Sequence, residues 1–201
     1  MPDTNCNISL IVGLGNPGNK YEHTMHNIGL DALIMLCDKY KINMSPESKF
    51  SGLVGRGIIE GHDVRVVFPT TYMNESGRSV GAICNFYKID PSQVLVLHDD
   101  LDLAPGSLKL KLGGGLAGHN GLKSISACLG GSQNFYRLRI GIGKPTNKDV
   151  INYVLSRPAP MIRDLIDESL VGALNGLSTL FSKGVQKGTA AINGFKVLKE
   201  R

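Results

Sequence analysis

The segment Val94-Leu-Val-Leu-His-Asp-Asp100 decides the fold class, because four apolar residues run directly into a histidine and two carboxylates. A short, continuous apolar run of this kind is typical of a strand that is buried on both faces. Ile8–Val12 is a second such run, and it ends at Gly13. We therefore expect two buried strands, with Asp99 and Asp100 at the carboxyl end of the central one.

Strand-like and helix-like patterns follow one another along the rest of the chain. Ser107–Leu112 alternates strictly between leucine and lysine, which is the period of a strand. β-rich runs predict a hairpin from Leu53–Ile59 and Val64–Phe68, and a further strand over Tyr136–Ile142. Helical spacing of apolar residues predicts helices over Asn27–Tyr40, Ser76–Tyr87, His119–Leu129, Val150–Leu155 and Met161–Phe181. The tail after Phe181 is interrupted by glycines and gives no clear pattern.

This order of elements predicts the fold class. Strands and helices that alternate, with some hairpin pairing, are typical of an α/β fold. We expect a mixed, mostly parallel, twisted sheet flanked by helices. The 201 residues contain no internal repeat, linker or low-complexity tract, so residues 1–201 are expected to form a single domain.

The composition is that of an ordinary globular protein, with 42% hydrophobic and 19% charged residues. No apolar stretch reaches the length of a membrane span, and Met1–Asn7 lacks the features of a secretory signal. We therefore expect a cytoplasmic protein that does not associate with membranes. Four cysteines lie far apart without a C-x-x-C pair, which argues against a zinc site or a disulfide framework and predicts buried thiols at Cys6, Cys37, Cys84 and Cys128.

Basic residues exceed acidic residues by 22 to 17, which gives a net charge of +5. This modest excess permits a polyanionic partner without requiring one. The placement of the charges is more informative than their number. Alternation puts Lys109 and Lys111 on one face of a strand, and Arg137 and Arg139 on the polar side of another. Each pair is either a solvated strand face or a phosphate contact.

Two glycine motifs have the spacing of known enzyme motifs, but the residues around them do not fit the corresponding sites. Gly13–Gly18 fits the dinucleotide fingerprint G-x-G-x-x-G, but Pro17 removes a backbone N–H that an anion would need. A turn that presents Asn16 fits this segment better. Gly77–Gly81 fits the nucleophile elbow G-x-S-x-G, but no strand runs directly into Ser79. A serine esterase that uses Ser79 is the alternative enzyme.

The histidines offer a catalytic base without an evident metal site. His23 and His26 are three residues apart, but no third ligand follows at a standard spacing, so no metal is predicted. His98 ends an apolar strand, which favours a structural role. His119 follows the glycine run 113–118 and either serves a substrate or caps a helix. The run itself is either a surface loop or a mobile gate over a cleft.

Four asparagines lie beside glycine, proline or a loop–helix junction. They are Asn16, Asn27, Asn74 and Asn120. Asparagine at such places often serves turn geometry alone. Neutral amides can also orient a water molecule and donate to a developing oxyanion, so together with a histidine and a strand-end aspartate they indicate a catalytic site.

Four blocks between residues 8 and 145 resemble, in order, the motifs of the bacterial-type peptidyl-tRNA hydrolase family. The blocks are residues 13–18 with Tyr21 and residues 24–29, then residues 69–77, residues 99–123 and residues 135–143. The third block is long and highly specific, whereas the chain after about residue 150 matches only in general character. The family usually has arginine before the histidine of the first block, where this chain has Met25. Any salt bridge or RNA contact of that arginine is therefore in question here.

The resemblance implies a monomeric α/β enzyme with no metal and no cofactor. It implies hydrolysis of the ester that joins a peptide, or an N-blocked amino acid, to the 3′ ribose of tRNA. This reaction recycles peptidyl-tRNA released from stalled translation. A non-catalytic RNA-binding module is the alternative outside enzymes, and the presence of His26, Asp99 and Asn16 argues against it.

The resemblance also assigns roles to individual residues. It makes His26 the general base and Asp99 its orienting partner; Asp100 and Asp102 are alternatives for which a solvated surface is the more typical setting. Asn16 is expected to hold the water or the carbonyl oxygen. Contacts with peptidyl-tRNA at its acceptor stem and 3′ end are expected from Tyr21, Met73, Asn74, His119, Asn120, Lys111 and Arg139, with Asn74 also a candidate oxyanion donor and the last two at phosphates.

Overall fold

Seven strands form one mixed sheet in a computed structural model that describes residues 6–198. The strands are β1 (Leu10–Gly13), β2 (Ser45–Glu47), β3 (Gly52–Ile59), β4 (His62–Pro69), β5 (Val94–Asp100), β6 (Leu108–Leu112) and β7 (Tyr136–Gly141). Their order is β2-β3-β4-β1-β5-β7-β6. The pairs β4-β1, β1-β5 and β5-β7 are parallel, and the outer pairs are antiparallel. The predicted mixed sheet is confirmed, with its parallel pairing at the centre.

Six helices accompany the sheet within the described residues. They are α1 (Ile28–Tyr40), α2 (Ser76–Tyr87), α3 (Asn120–Cys128), α4 (Val150–Val154), α5 (Pro160–Lys183) and α6 (Val185–Asn193). The five predicted helices are confirmed to within about two residues at each end, a normal margin for helix boundaries. Two elements are not predicted from the sequence, namely α6, which contains a glycine, and the short, fully exposed strand β2.

The central strands are buried on both faces, as their sequences predict. Within β5, Leu95 and Leu97 enter one hydrophobic cluster, whereas Val94 and Val96 enter another on the opposite side of the sheet. The first cluster is closed by side chains of α1, α5 and α6, and the second by those of α2 and α3. The alternation follows from the strand period of two, and it fixes β5 at the centre of the molecule.

Helix α1 approaches β5 closely because of a single glycine. A Cβ added to Gly29 would lie 2.1 Å from the carbonyl oxygen of Leu97. No other residue type fits this contact without moving the backbone of the helix or of the strand. The glycine therefore sets the distance between the residues before α1, including His26, and the end of β5.

Two expectations about side-chain burial are wrong. Arg137, expected on a polar face, is only 2% exposed, because its guanidinium donates to the carbonyl oxygens of Gly115 and Gln133. Cys128, expected to be buried, is exposed at the end of α3, whereas the other three thiols are buried as predicted.

No helix within residues 6–198 is long and apolar enough to cross a membrane. The sequence of Met1–Asn7 predicts no secretory signal, and most of this segment lies outside the described residues.

Candidate active site

A cleft of about 390 Å³ opens at the carboxyl ends of the parallel strands. This edge is where ligands bind in open α/β sheets, because the loops that leave neighbouring strands meet there. Eight of the ten predicted site residues line the cleft, namely Asn16, Tyr21, His26, Met73, Asn74, Asp99, His119 and Asn120. Residues far apart in the chain are thus brought together by strand order.

The imidazole of His26 is held by the carboxylate of Asp99. His26 lies in a 3-10 turn (Met25–Asn27) directly before α1, and its Nδ1 is 2.8 Å from Asp99 Oδ2. Because an ionised carboxylate only accepts, the proton of the neutral ring belongs on Nδ1. Nε2 is then an unprotonated nitrogen available to the cleft, which is the state of a general base.

The environment of this pair sets its proton affinity. Burial lowers the pKa of His26, but the charge of Asp99 and its hydrogen bond outweigh burial, so the net shift is upward. For Asp99, burial raises the pKa, but the charges and hydrogen bonds of His26 and His119 hold it well below its usual range. The carboxylate therefore stays ionised and stabilises the imidazolium that forms when His26 accepts a proton.

His119 contacts the other oxygen of the same carboxylate. Its Nε2 is 2.9 Å from Asp99 Oδ1. Its Nδ1 accepts backbone N–H groups of Gly121 at 3.1 Å and Leu122 at 3.3 Å, which makes it the N-cap of α3. The capping role weighed for His119 is confirmed, and the same side chain also reaches the cleft.

Metal-binding residue types come together only around this carboxylate in the part of the chain that the structure describes. One ligand atom each of His26, Asp99 and His119 lies within 4.8 Å of the others. A metal would need lone pairs on the nitrogens that face Asp99, but His119 Nδ1 already accepts two N–H groups, so its proton belongs on Nε2. This pattern favours two N–H···O hydrogen bonds, from His26 and His119 to Asp99, over a bound metal ion. His23, three residues before His26, faces Asp31 instead, at 3.4 Å.

Asn16 is fixed from two sides. Its Oδ1 accepts the backbone N–H of Met73 at 2.8 Å, and its backbone N–H and C=O pair with the side-chain amide of Asn27 at 2.9 Å. Because Oδ1 is directed at the Met73 N–H, the Nδ2 donor is the part of the amide that is free of a protein partner among the described residues. Asn27 therefore serves backbone geometry, whereas Asn74 and Asn120 are exposed at the cleft and keep their amides available.

Lys111 and Arg139, the remaining predicted contacts, line a neighbouring pocket of about 210 Å³. Arg139 Nε donates to Asp100 Oδ2 at 2.7 Å. Asp100 is buried for this reason, so its expected place on a solvated surface is wrong, whereas Asp102 is exposed and pairs with Lys144 at 2.9 Å. His98 lines both pockets and is buried, and burial lowers its pKa to about 4.

An apolar wall of the cleft was missed from the sequence. Val150, Ile151 and Leu155 in and beside α4 line the cleft while remaining largely exposed, as does Tyr72. The feature of the sequence that could have indicated this wall is the presence of three large apolar residues within one very short predicted helix. Spacing alone predicts such residues as core, so it gave no reason to place them at a site.

The alternative nucleophiles lie away from the cleft. Ser79 is fully buried in α2, and its Oγ faces β3 beside Gly52. The geometry therefore does not favour the serine esterase, because Ser79 Oγ has no hydrogen-bond partner among the described residues and does not line the cleft. Cys84, predicted to be a buried thiol, does not line the cleft either, and burial raises its pKa to about 12, which disfavours the thiolate that a nucleophile needs.

Comparisons with known proteins agree with this geometry. A family model described as peptidyl-tRNA hydrolase matches residues 10–200. The peptidyl-tRNA hydrolase of Histophilus somni is 52% identical over 190 residues, covering 94% of this chain and 98% of that protein. The peptidyl-tRNA hydrolase of Haemophilus influenzae is 49% identical over 191 residues, with the same two coverages of 94% and 98%.

Solved structures extend the agreement to the fold. A peptidyl-tRNA hydrolase in complex with N-propanol matches with a TM-score of 0.92 and 45% identity, covering 98% of this chain and 100% of that one. The peptidyl-tRNA hydrolase of Acinetobacter baumannii matches with a TM-score of 0.90 and 46% identity, covering 96% and 98%. The resemblance seen in the motifs is therefore confirmed, and the chain belongs to the peptidyl-tRNA hydrolase family.

Proposed function

We propose that this chain hydrolyses the ester bond between a peptide, or an N-blocked amino acid, and the 3′ ribose of tRNA. The observation that carries the proposal is the His26–Asp99 hydrogen bond at 2.8 Å, which leaves His26 Nε2 available in the cleft. The names of the similar proteins support the same reaction. In the cell, this reaction returns tRNA from peptidyl-tRNA that stalled translation has released.

The reaction needs one water molecule and one movable proton. His26 Nε2 takes a proton from the water as the water oxygen attacks the ester carbonyl, and Asp99 stabilises the imidazolium. The resulting tetrahedral intermediate carries a negative oxygen, toward which Asn16 Nδ2 and the Asn74 amide donate. The C–O bond then breaks, and His26 returns the proton to the ribose oxygen. The products are a carboxylic acid and a free 3′ hydroxyl group.

The RNA side of the substrate is proposed to meet the basic pocket. Lys111 is exposed there, and Arg139 is held in place by Asp100. Phosphate contacts supply affinity and position without reading sequence, which suits an enzyme that accepts many tRNAs. Asn120 and Tyr21, on the wall of the cleft, are proposed to orient the terminal nucleotide.

The acyl side is proposed to lie against apolar residues. Met73 is buried in the cleft wall, and Val150 and Ile151 line the same cleft with exposed side chains. Such a surface can accept varied peptide side chains, because hydrophobic contact has no directional requirement. We further propose that residues 1–201 form one domain that works as a cytoplasmic monomer without a metal or a cofactor.

The function is tested by incubating purified protein with N-acetylated aminoacyl-tRNA in the presence of EDTA. We expect release of the N-acetyl amino acid by the wild type and by His23→Ala, a matched variant whose imidazole is exposed and pairs with Asp31. His26→Ala should lose about 100-fold or more in rate. Equal release by all three proteins would show that His26 is not the general base and that another group has this role. Binding without release by the wild type would favour the non-catalytic RNA-binding module.

A further inference from the structure

The Asp99 carboxylate is shared between two imidazole rings. Its Oδ2 is 2.8 Å from His26 Nδ1, and its Oδ1 is 2.9 Å from His119 Nε2. The two ring centroids are 4.9 Å apart, so the three groups form one compact cluster. Only one of the two histidines, His26, has a role in the proposed reaction. The second ring donates to one of the two oxygens of the catalytic carboxylate.

Helix α3 fixes both the orientation and the tautomer of His119. Nδ1 accepts the backbone N–H groups of Gly121 and Leu122, so it must hold a lone pair. The ring proton therefore lies on Nε2 and points at Asp99. The side chain is only 8% exposed, and contacts on opposite sides of the ring prevent it from turning.

We propose that His119 is a positioning residue that acts through Asp99, holding the carboxylate in place for His26 and drawing off part of its charge. The proposal rests on the base role proposed for His26. It differs from the substrate contact that the resemblance implies for His119. In this arrangement the fold itself, through the first turn of α3, determines how strongly Asp99 acts on His26.

The direction of the effect follows from electrostatics. The charge of Asp99 raises the pKa of His26 against the effect of burial. A carboxylate that also accepts an N–H from His119 has less negative potential to offer His26. Loss of this donor should raise the pKa of His26 further. A smaller fraction of His26 is then unprotonated at a given pH, so the acid limb of the rate profile moves to higher pH.

The other charged groups around the cleft have partners of their own. The remaining titratable residues that line it are Tyr21, Tyr72, His98, Asp100, Asp102 and Lys144. Asp100 is paired with Arg139, and Asp102 with Lys144. Of the charges near His26, that of Asp99 raises the pKa of the ring. A change in the titration of His26 therefore reports on Asp99 and its second donor.

Two substitutions separate the cap from the contact with Asp99. His119→Asn places an oxygen where Nδ1 lies, so it keeps the cap, but its side chain is too short to reach Asp99. His119→Gln can place an N–H donor near Nε2 but has no acceptor at the Nδ1 position. His119→Asn should keep the thermal stability of the wild type and lose the effect on the pKa of His26. His119→Gln should keep the effect on the pKa of His26 and lose thermal stability.

The measurements are the pH profile of kcat/KM, the separate values of kcat and KM, and the titration of His26 by NMR. The His26 signal is assigned by its loss in His26→Ala. For His119→Asn we expect a lower kcat with an unchanged KM, and an acid limb and a His26 titration displaced to higher pH. His119→Gln should restore both titrations toward wild type while lowering the melting temperature.

An unchanged His26 titration in His119→Asn would overturn the proposal, and a raised KM with an unchanged acid limb would instead make His119 a substrate contact. The NMR titration needs no turnover. If the wild type fails to hydrolyse the ester while the His26 signal still shifts, the proposed function fails but the coupling stands.

Discussion

The side-chain oxygen of Asn16 accepts the backbone N–H of Met73 at 2.8 Å, which ties the loop after β1 to the turn before α2 across 57 residues of sequence. This contact fixes which end of the amide faces the substrate. A free asparagine can present either its oxygen or its nitrogen, but here Oδ1 is directed at Met73 and Nδ2 has no protein partner among the described residues. The geometry therefore favours a hydrogen bond to a carbonyl oxygen or an oxyanion.

Asn16→Asp tests this assignment with little change in shape. One carboxylate oxygen can still accept from Met73, while the other replaces the donor with a negative charge where the oxyanion develops. We expect kcat to fall by about 100-fold or more, with a melting temperature close to that of the wild type. Asn16→Ala is the comparison, because it also leaves the buried Met73 N–H unpaired, at a cost of about 1–3 kcal/mol. Full activity in the aspartate variant would exclude a donor role.

Asp99→Asn should lower both the rate and the pH of the acid limb. General-base catalysis needs neutral His26, so activity is lost as the pH falls through the raised pKa of that ring. Without the charge of Asp99, the lowering effect of burial prevails, and the limb moves to lower pH. We expect kcat to fall by about 100- to 10,000-fold, because the tautomer and the imidazolium are no longer stabilised. A pH profile of kcat/KM measures both effects, and an unmoved limb would assign it to another group.

The pattern of β5 predicts that Asp99 lies at the carboxyl end of a buried strand, the edge of the sheet where ligands bind. The pairing of Asp99 with His26 was predicted only from the resemblance to the family. The link from His119 to Asp99 is a contact between side chains 20 residues apart, and no local pattern specifies it. The ion pair that accompanies the burial of Asp100 joins it to Arg139 on a neighbouring strand, so no local pattern predicts it either.

Burial of charged groups shows the same limit. Alternation along β7 correctly separates Arg137 and Arg139 from the leucine and isoleucine positions. It cannot show that carbonyl groups of the glycine loop and of Gln133 cover Arg137 and bury it. Contacts with carbonyl groups outside the strand, which periodicity cannot show, make Arg137 the more buried of the two arginines.

Lys111→Ala should weaken tRNA binding without slowing the chemical step. A hydrogen bond to a charged group contributes about 1.5–3 kcal/mol, so we expect about a tenfold or greater loss of affinity. The salt dependence, plotted as log K against log salt concentration, should become shallower by about one unit. Lys109→Ala is the matched control, since Lys109 is exposed on the same strand and does not line the pocket. An N-acetylated aminoacyl-adenosine without phosphates should be hydrolysed equally by both variants, and a loss on that ester would contradict a phosphate role.

Ser79→Ala should leave hydrolysis unchanged. The Oγ atom of Ser79 is buried and has no hydrogen-bond partner among residues 6–198. Removal of an unpaired buried hydroxyl relieves a desolvation cost of about 1–3 kcal/mol, less the loss of packing, so we expect equal or higher stability. Turnover of N-acetylated aminoacyl-tRNA and the melting temperature are the two measurements. Abolished turnover in a folded variant would revive the serine esterase.

Gly29→Ala should damage both the fold and the site, although the residue has no chemistry of its own. Its Cβ would lie 2.1 Å from the Leu97 carbonyl oxygen, a backbone atom that cannot rotate away, so α1 must move off β5. Forced overpacking of this kind typically costs about 1–3 kcal/mol in the free energy of unfolding, which urea denaturation measures. Because His26 directly precedes α1, the shift should also lengthen its hydrogen bond to Asp99 and lower kcat.

Gly115→Ala is the control for this prediction, because a Cβ at Gly115 meets no atom within 4 Å and the backbone there needs no positive φ. Its free energy of unfolding should stay within about 1 kcal/mol of the wild type. Equal stability of the two variants would mean that α1 can retreat from β5 at no cost. The close approach of helix and strand would then not be what sets the distance between His26 and Asp99.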